Sequence, residues 1–137
     1  MTEVIRFTVG LPPSGLRANS RTRHINYGAK LKREYAEVVW CAGNVAMAEG
    51  QRGNAWVFNY GWERATVRYT WHSTHPMDQD NIIATMKPAL DVLKAHGPRP
   101  LGIVRDDSPD CVSVSATWAK AAKRKDERVE IEVERIT

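Results

Sequence analysis

Residues 65–95 read ATVRYTWHSTHPMDQDNIIATMKPALDVLKA, and this run decides the fold class. Ala65, Val67, Tyr69 and Trp71 alternate with Thr66, Arg68, Thr70 and His72, the two-residue period of a strand with one face toward a core. From Asn81 to Ala95 the period lengthens. Ile82, Met86, Leu90 and Leu93 then share one helical stripe, and Gly97-Pro98 closes it. Upstream, Ile5, Phe7, Val9 and Leu11 alternate as a strand that stops at Pro12-Pro13. A helix is predicted from about Lys30 to Glu49-Gly50, with Leu31, Tyr35, Val38, Val39, Ala42, Val45 and Ala46 at helical spacing, and Gln51–Asn54 is predicted as a turn. Downstream, Val112, Val114, Ala116 and Trp118 form one alternating set and Val129, Ile131 and Val133 another, joined by the basic loop 119–127. The order strand, helix, strand, helix, strand, strand predicts an α+β fold. It forms a single domain over 1–137, with a mixed or antiparallel sheet and two helices packed on one face. A chain of 137 residues can bury one such core and is too short for two ordinary ones.

Hydrophobic residues make up 42% and charged residues 26%, as in soluble globular chains. No run approaches the ~18 apolar residues of a spanning helix, and MTEVIRFTVG lacks the apolar core of a secretory leader, so a cytoplasmic protein without a membrane partner is expected. Cys41 and Cys111 belong to no C-x-x-C pair and are expected as reduced thiols in or near the core. The net charge is +4, and its distribution says more than its size. Arg17, Arg21, Arg23, Lys30, Lys32 and Arg33 occur with no acid among them, and Lys120, Lys123, Arg124, Lys125 and Arg128 surround only Asp126 and Glu127. Two such clusters suit a phosphate backbone, whose condensed counterions each bound cation displaces; solvated, solubilising loops are the other reading.

The carboxylates carry the chemistry. Asp78 and Asp80 follow the strand and precede the helix, where a spacing of two aims both side chains the same way on extended backbone. Their ordinary employment would be Asp80 as helix N-cap and Asp78 as a turn residue. Asp106-Asp107 follows Leu101-Gly102-Ile103-Val104, and if that stretch ends a strand, all four acids converge. Like charges so gathered need a cation, and oxygen-only ligands suit Mg²⁺ or Mn²⁺ rather than zinc. His72 and His75 are expected as strand-end surface residues rather than ligands. Trp56, Trp62 and Trp118 are expected mainly in packing, and Ser113 and Ser115 on a solvent face.

In this order the residues resemble the RusA-type Holliday junction resolvases of bacteria and phages. The resemblance rests on Asp78-x-Asp80-Asn81, then Lys87-Pro88, Leu90-Asp91-x-Leu93, a glycine-containing turn and Asp106-Asp107. It takes in Leu11-Pro12-Pro13-Ser14 with Asn19 and the basic helix, and spans roughly residues 5–118. It implies Asp78, Asp80 and Asp107 as essential metal-site residues, Asp106 as a further member, and Lys87 in catalysis or DNA engagement. It also implies a homodimer that nicks four-way DNA junctions symmetrically with Mg²⁺ in recombination and repair, in a bacterial or phage-infected cell. Arg17, Asn19, Arg21, Arg23, Lys30, Lys123, Arg124 and Lys125 are the candidate DNA contacts. A non-catalytic binder of branched DNA, or a nuclease for flaps or forks, remains open. The family usually sets the lysine about four residues after the second aspartate. Here the step from Asp80 to Lys87 is seven, which in a helix keeps the same face about one turn farther along. Pro88 requires a kink there or a helix that starts after Asp80. Lys87 also stands four residues before Asp91, the spacing of a surface ion pair.

Overall fold

The computed structural model describes residues 3–16, 25–53 and 61–136. In chain order they form β1 (Val4–Val9), a 3-10 turn (Ser14–Leu16), α1 (Ile25–Gly53), β2 (Ala65–Ser73), α2 (Gln79–Thr85), α3 (Lys87–Leu93), β3 (Val112–Lys120), a 3-10 turn (Arg124–Asp126) and β4 (Arg128–Arg135). The four strands make one sheet in the order β1-β4-β2-β3. β4 runs antiparallel to both β1 and β2, and β3 runs parallel to β2, so the sheet is mixed. A parallel pair cannot be closed by a hairpin, and α2 and α3 lie in the crossover that joins β2 to β3. The α+β architecture is therefore as the hydrophobic periods predict.

The buried face follows the alternation. Ile5, Phe7 and Val9, then Ala65, Val67, Tyr69 and Trp71, then Val129, Ile131 and Val133 all point into one core. α1 packs against β1 and α3, and α2 against β3. The other sheet face is polar: Glu132 accepts from Arg6 at 2.6 Å and from Arg68 at 2.8 Å. Those two hydrogen bonds, the Arg6 one first, hold the Glu132 carboxyl below its ordinary value.

Five expectations change. α1 is already helical at Ile25 and continues through Gly53, so the turn expected from Gln51 is helix as far as Gly53. Val38 and Val45, expected inside, are 49% and 59% exposed, because only one side of so long a helix faces the sheet. The helix predicted over 81–95 is two helices meeting at Met86, giving three in all. Leu101–Val104 is not a strand but a buried strap. The N–H groups of Leu101 and Ile103 donate to the carbonyls of Val92 and Leu93 at 2.8 and 3.0 Å, satisfying the end of α3. Trp62 and Arg105 clasp the strap through backbone bonds of 2.8 and 2.9 Å, and at Gly61, with φ +77°, a Cβ would meet the Val104 carbonyl carbon at 2.5 Å. No helix among the described residues is long and apolar enough to cross a membrane. Cys41 is exposed rather than near the core, and Cys111 is half-buried.

Candidate functional site

α2 begins at the acidic pair. Asp78, not Asp80, occupies the cap position, with φ −66° and ψ 147°, and its carboxylate makes no capping hydrogen bond. Asn81 Nδ2 reaches Asp78 Oδ2 at 3.5 Å, and Asp80 lies in the first turn. Both aspartates are exposed. Capping therefore does not account for this pair, and its oxygens face solvent.

Pro88 decides where the lysine goes. Proline has no N–H and its ring collides with the carbonyl four residues back, so a helix continuing from α2 breaks before it. Met86, at φ −85° and ψ 7°, ends α2 and opens α3, with Lys87 and Pro88 as the first two residues of the new helix, where proline is tolerated. Of the two alternatives posed by the sequence, the kink is the one that forms. Lys87 Nζ then lies 2.7 Å from Asp107 Oδ2 and 2.9 Å from Asp91 Oδ1. Lys94 Nζ lies 3.9 Å from the same Asp107 oxygen. The hydrogen bond from Lys87, outweighing partial burial, holds the Asp107 carboxyl down to about 2. Burial opposes the charge on Lys87, yet the bonds to Asp107 and Asp91 outweigh it and raise its pKa above the ordinary lysine value. Lys87 thus makes the ion pair with Asp91 that its spacing offers, and it also reaches Asp107. Asp106 lies apart from Asp107's cations, with Oδ1 3.1 Å from His96 Nε2.

The expected convergence of four acids does not form. Among the described residues no group of three or more carboxylate, imidazole or thiol side chains is gathered closely enough to hold a metal ion. Lys87 and Lys94 instead stand beside Asp107, at 2.7 and 3.9 Å. What remains is the exposed Asp78 and Asp80 pair. Its donor chemistry fits Mg²⁺, which keeps several waters and is commonly held by one or two carboxylates together with substrate phosphate.

The second basic cluster is tied to the end of β2. Ala121 N–H donates to the Ser73 carbonyl at 2.9 Å, and the Thr74 N–H donates to Glu127 Oε2 at 2.9 Å. The loop carrying the exposed Lys123, Arg124 and Lys125 is thereby tied to the segment that leads from β2 to Asp78. Lys30 is exposed on α1, 3.9 Å from Glu34. Arg17, Asn19, Arg21, Arg23 and Trp56 lie outside the described residues. His72 Nε2 is 3.3 Å from Glu130 Oε2 on the polar sheet face, without hydrogen-bond geometry, and His75 is exposed. Trp62 is buried, Trp118 Nε1 donates to Ser73 Oγ at 3.0 Å, and Ser113 and Ser115 face solvent.

Sequence reasoning did not single out Lys94, whose signal was its place seven residues after Lys87, two turns along the same helical face. Nor did it find Arg99 or His96, which no period marks. No family model matches the chain, and no curated protein matches it either.

Proposed function

We propose that this chain is a Mg²⁺-dependent, structure-selective endodeoxyribonuclease of the RusA type, which resolves four-way DNA junctions by paired nicks during recombination and repair. The observation that carries the reading is the 2.7 Å contact between Lys87 and Asp107, which brings the lysine of the motif to its downstream acid across twenty residues. Mg²⁺, with Mn²⁺ as a substitute, would be held by Asp78 and Asp80, while Asp107 of the downstream pair sets Lys87. When bound, the ion supplies a water of lowered pKa and neutralises charge on the phosphoryl oxygens. Lys87 presents an ammonium to the scissile phosphate, and Asp107 and Asp91 aim it. Lys123, Arg124 and Lys125 on one side and Lys30 on the other bind backbone phosphates by charge. A homodimer matches the two equivalent strands of a junction with two equivalent sites.

The test is incubation with a synthetic four-way junction and Mg²⁺, beside flap, fork and linear duplex substrates. Paired symmetrical nicks in the junction, lost in Asp80→Asn, are expected. Cleavage indifferent to Asp80→Asn would remove the site, and salt-sensitive binding without cutting in either metal would make the protein a non-catalytic binder of branched DNA.

A further inference from the structure

The faces of α1 and of α2 and α3 do not close on each other throughout. Between them runs an open groove of about 1080 Å³. Its rims are cationic: Lys30, Lys32 and Arg33 come from α1, Lys87 from α3, and Arg99 from the loop beyond. It also contains three acids, and each is already matched by a cation of the same groove. Glu34 lies 3.9 Å from Lys30, Glu37 lies 3.7 Å from Arg99, and Asp91 lies 2.9 Å from Lys87. Lys32 and Arg33 pair with no carboxylate among the described residues, and both are exposed. Between the rims the floor is apolar, built from Ala36, Ala84, Pro88 and Val92. Arg99 lines the groove with its guanidinium over the half-buried Trp40 ring, 5.8 Å from its centroid, so the ring backs a cationic surface on which a base can stack.

We infer that this groove binds an unpaired DNA strand, with phosphates on the Lys32 and Arg33 rim and base faces on the apolar floor and the Arg99–Trp40 platform. The groove is open, and its volume lies at the upper end of the ~300–1,000 Å³ of small-molecule pockets. A polymer lying along the groove uses its length. A duplex offers only phosphates, because its base faces are stacked inside, and would leave the apolar floor unmatched. A single strand offers both charge and exposed ring faces, the combination that cationic grooves with flat platforms select. The groove includes Lys87, so a strand lying in it passes the ammonium that Asp107 holds. The inference rests on the DNA-directed reading above and narrows it: what distinguishes a branched substrate is a stretch of unpaired strand.

The experiment is fluorescence anisotropy in EDTA, where no cutting occurs, with labelled oligo-dT and with a duplex of equal length, across a salt series. Oligo-dT is expected to bind at least tenfold more tightly than the duplex. Lys32→Glu with Arg33→Glu should weaken oligo-dT at least tenfold and reduce its log–log salt slope by roughly 1.4 or more. Ala84→Glu, at an exposed position on the floor, should weaken oligo-dT and leave the duplex within twofold. Lys123→Glu with Arg124→Glu, on the other basic cluster, should weaken the duplex more than oligo-dT, and an oligo-dT loss as large as that of the groove variant would overturn the inference. Circular dichroism melts confirm that each variant folds. Equal binding of strand and duplex, insensitivity to the groove variants, or displacement of oligo-dT by poly-glutamate at equal charge would overturn the inference. Because binding is read without cleavage, a protein that binds oligo-dT but cuts nothing refutes the nuclease reading alone. One that nicks junctions but prefers duplex refutes the groove alone.

Discussion

Asp80 and Asp107 carry the same side chain in opposite surroundings. Asp80 stands exposed in the first turn of α2, with no cation recorded against it among the described residues. The Asp107 side chain is 18% exposed and receives two lysines, Lys87 at 2.7 Å and Lys94 at 3.9 Å. A carboxylate supplied with internal cations is neutralised by the chain itself. One without them is open to a cation from outside. The acidic motif therefore divides into a part that stands exposed without an internal cation and a part that holds a lysine.

The sharpest break of this comparison is at the exposed pair. Asp78→Asn and Asp80→Asn should each lower Mg²⁺-dependent nicking by roughly 10²–10³-fold, the scale of losing a principal electrostatic group. Neither should shift stability by more than ~0.5 kcal/mol, because no cap bond or ion pair is lost. A urea melt beside the nicking assay separates the two effects. A stability loss equal to that of a core substitution would show that the pair is structural.

Asp107→Asn should act more gently on nicking, by roughly tenfold, since it loosens Lys87 rather than removing a ligand. Asp107→Glu should restore most of the rate, which a purely structural carboxylate far from Lys87 would not do. Its signature lies in pH. The carboxyl is depressed in the fold to about 2 from 3.8, so its contribution to stability is fully present above about 3.8 and fades as pH falls through about 2. With Lys87 more than half exposed, solvent screening reduces that contribution to roughly 1 kcal/mol or less. Urea melts between pH 2 and pH 7 should show wild type and Asp107→Asn separated at neutral pH and converging near pH 2. A constant separation across that range would mean that the ion pair contributes nothing.

The same contrast explains what could be read from the chain beforehand. Strands announce themselves locally: Ala65, Val67, Tyr69 and Trp71 are buried because every second residue is apolar. The stripe of Ile82, Met86, Leu90 and Leu93 is likewise buried, even though the helix beneath it is broken. The acidic pair was legible from its order and its position between strand and helix. The fate of Asp107 was not, because its partner lies twenty residues away, and only tertiary packing decides whether a lysine or other carboxylates meet it. Leu101–Val104 misled for a related reason. Its apolar content was right, but short buried straps and strand ends share that composition, and the bonds to α3 and Trp62 that tell them apart are long-range. Val38 and Val45 show the limit of periodicity: spacing identifies a helical face without saying how wide the neighbouring surface is.

The finest test lies between the two carboxylates, at the break itself. Pro88 is buried at the second position of α3, so its ring contributes packing as well as forbidding an N–H. Pro88→Ala restores the missing donor and permits α2 to run on into α3, while the lost ring leaves a small gap. The first change favours helix and the second opposes it, so net stability should move by less than about 1 kcal/mol. Geometry should change more than stability. If the helix heals, Lys87 turns away from Asp107, whose carboxyl should rise from about 2 toward 3.8 in a carbon-detected NMR titration, and nicking should fall by less than roughly tenfold. An unmoved titration with an unmoved rate would mean that Leu90 and Leu93, locked in the core, hold α3 in place unaided. The lysine's contact with Asp107 would then be a product of packing, and the seven-residue step from Asp80 would need no proline to make it work.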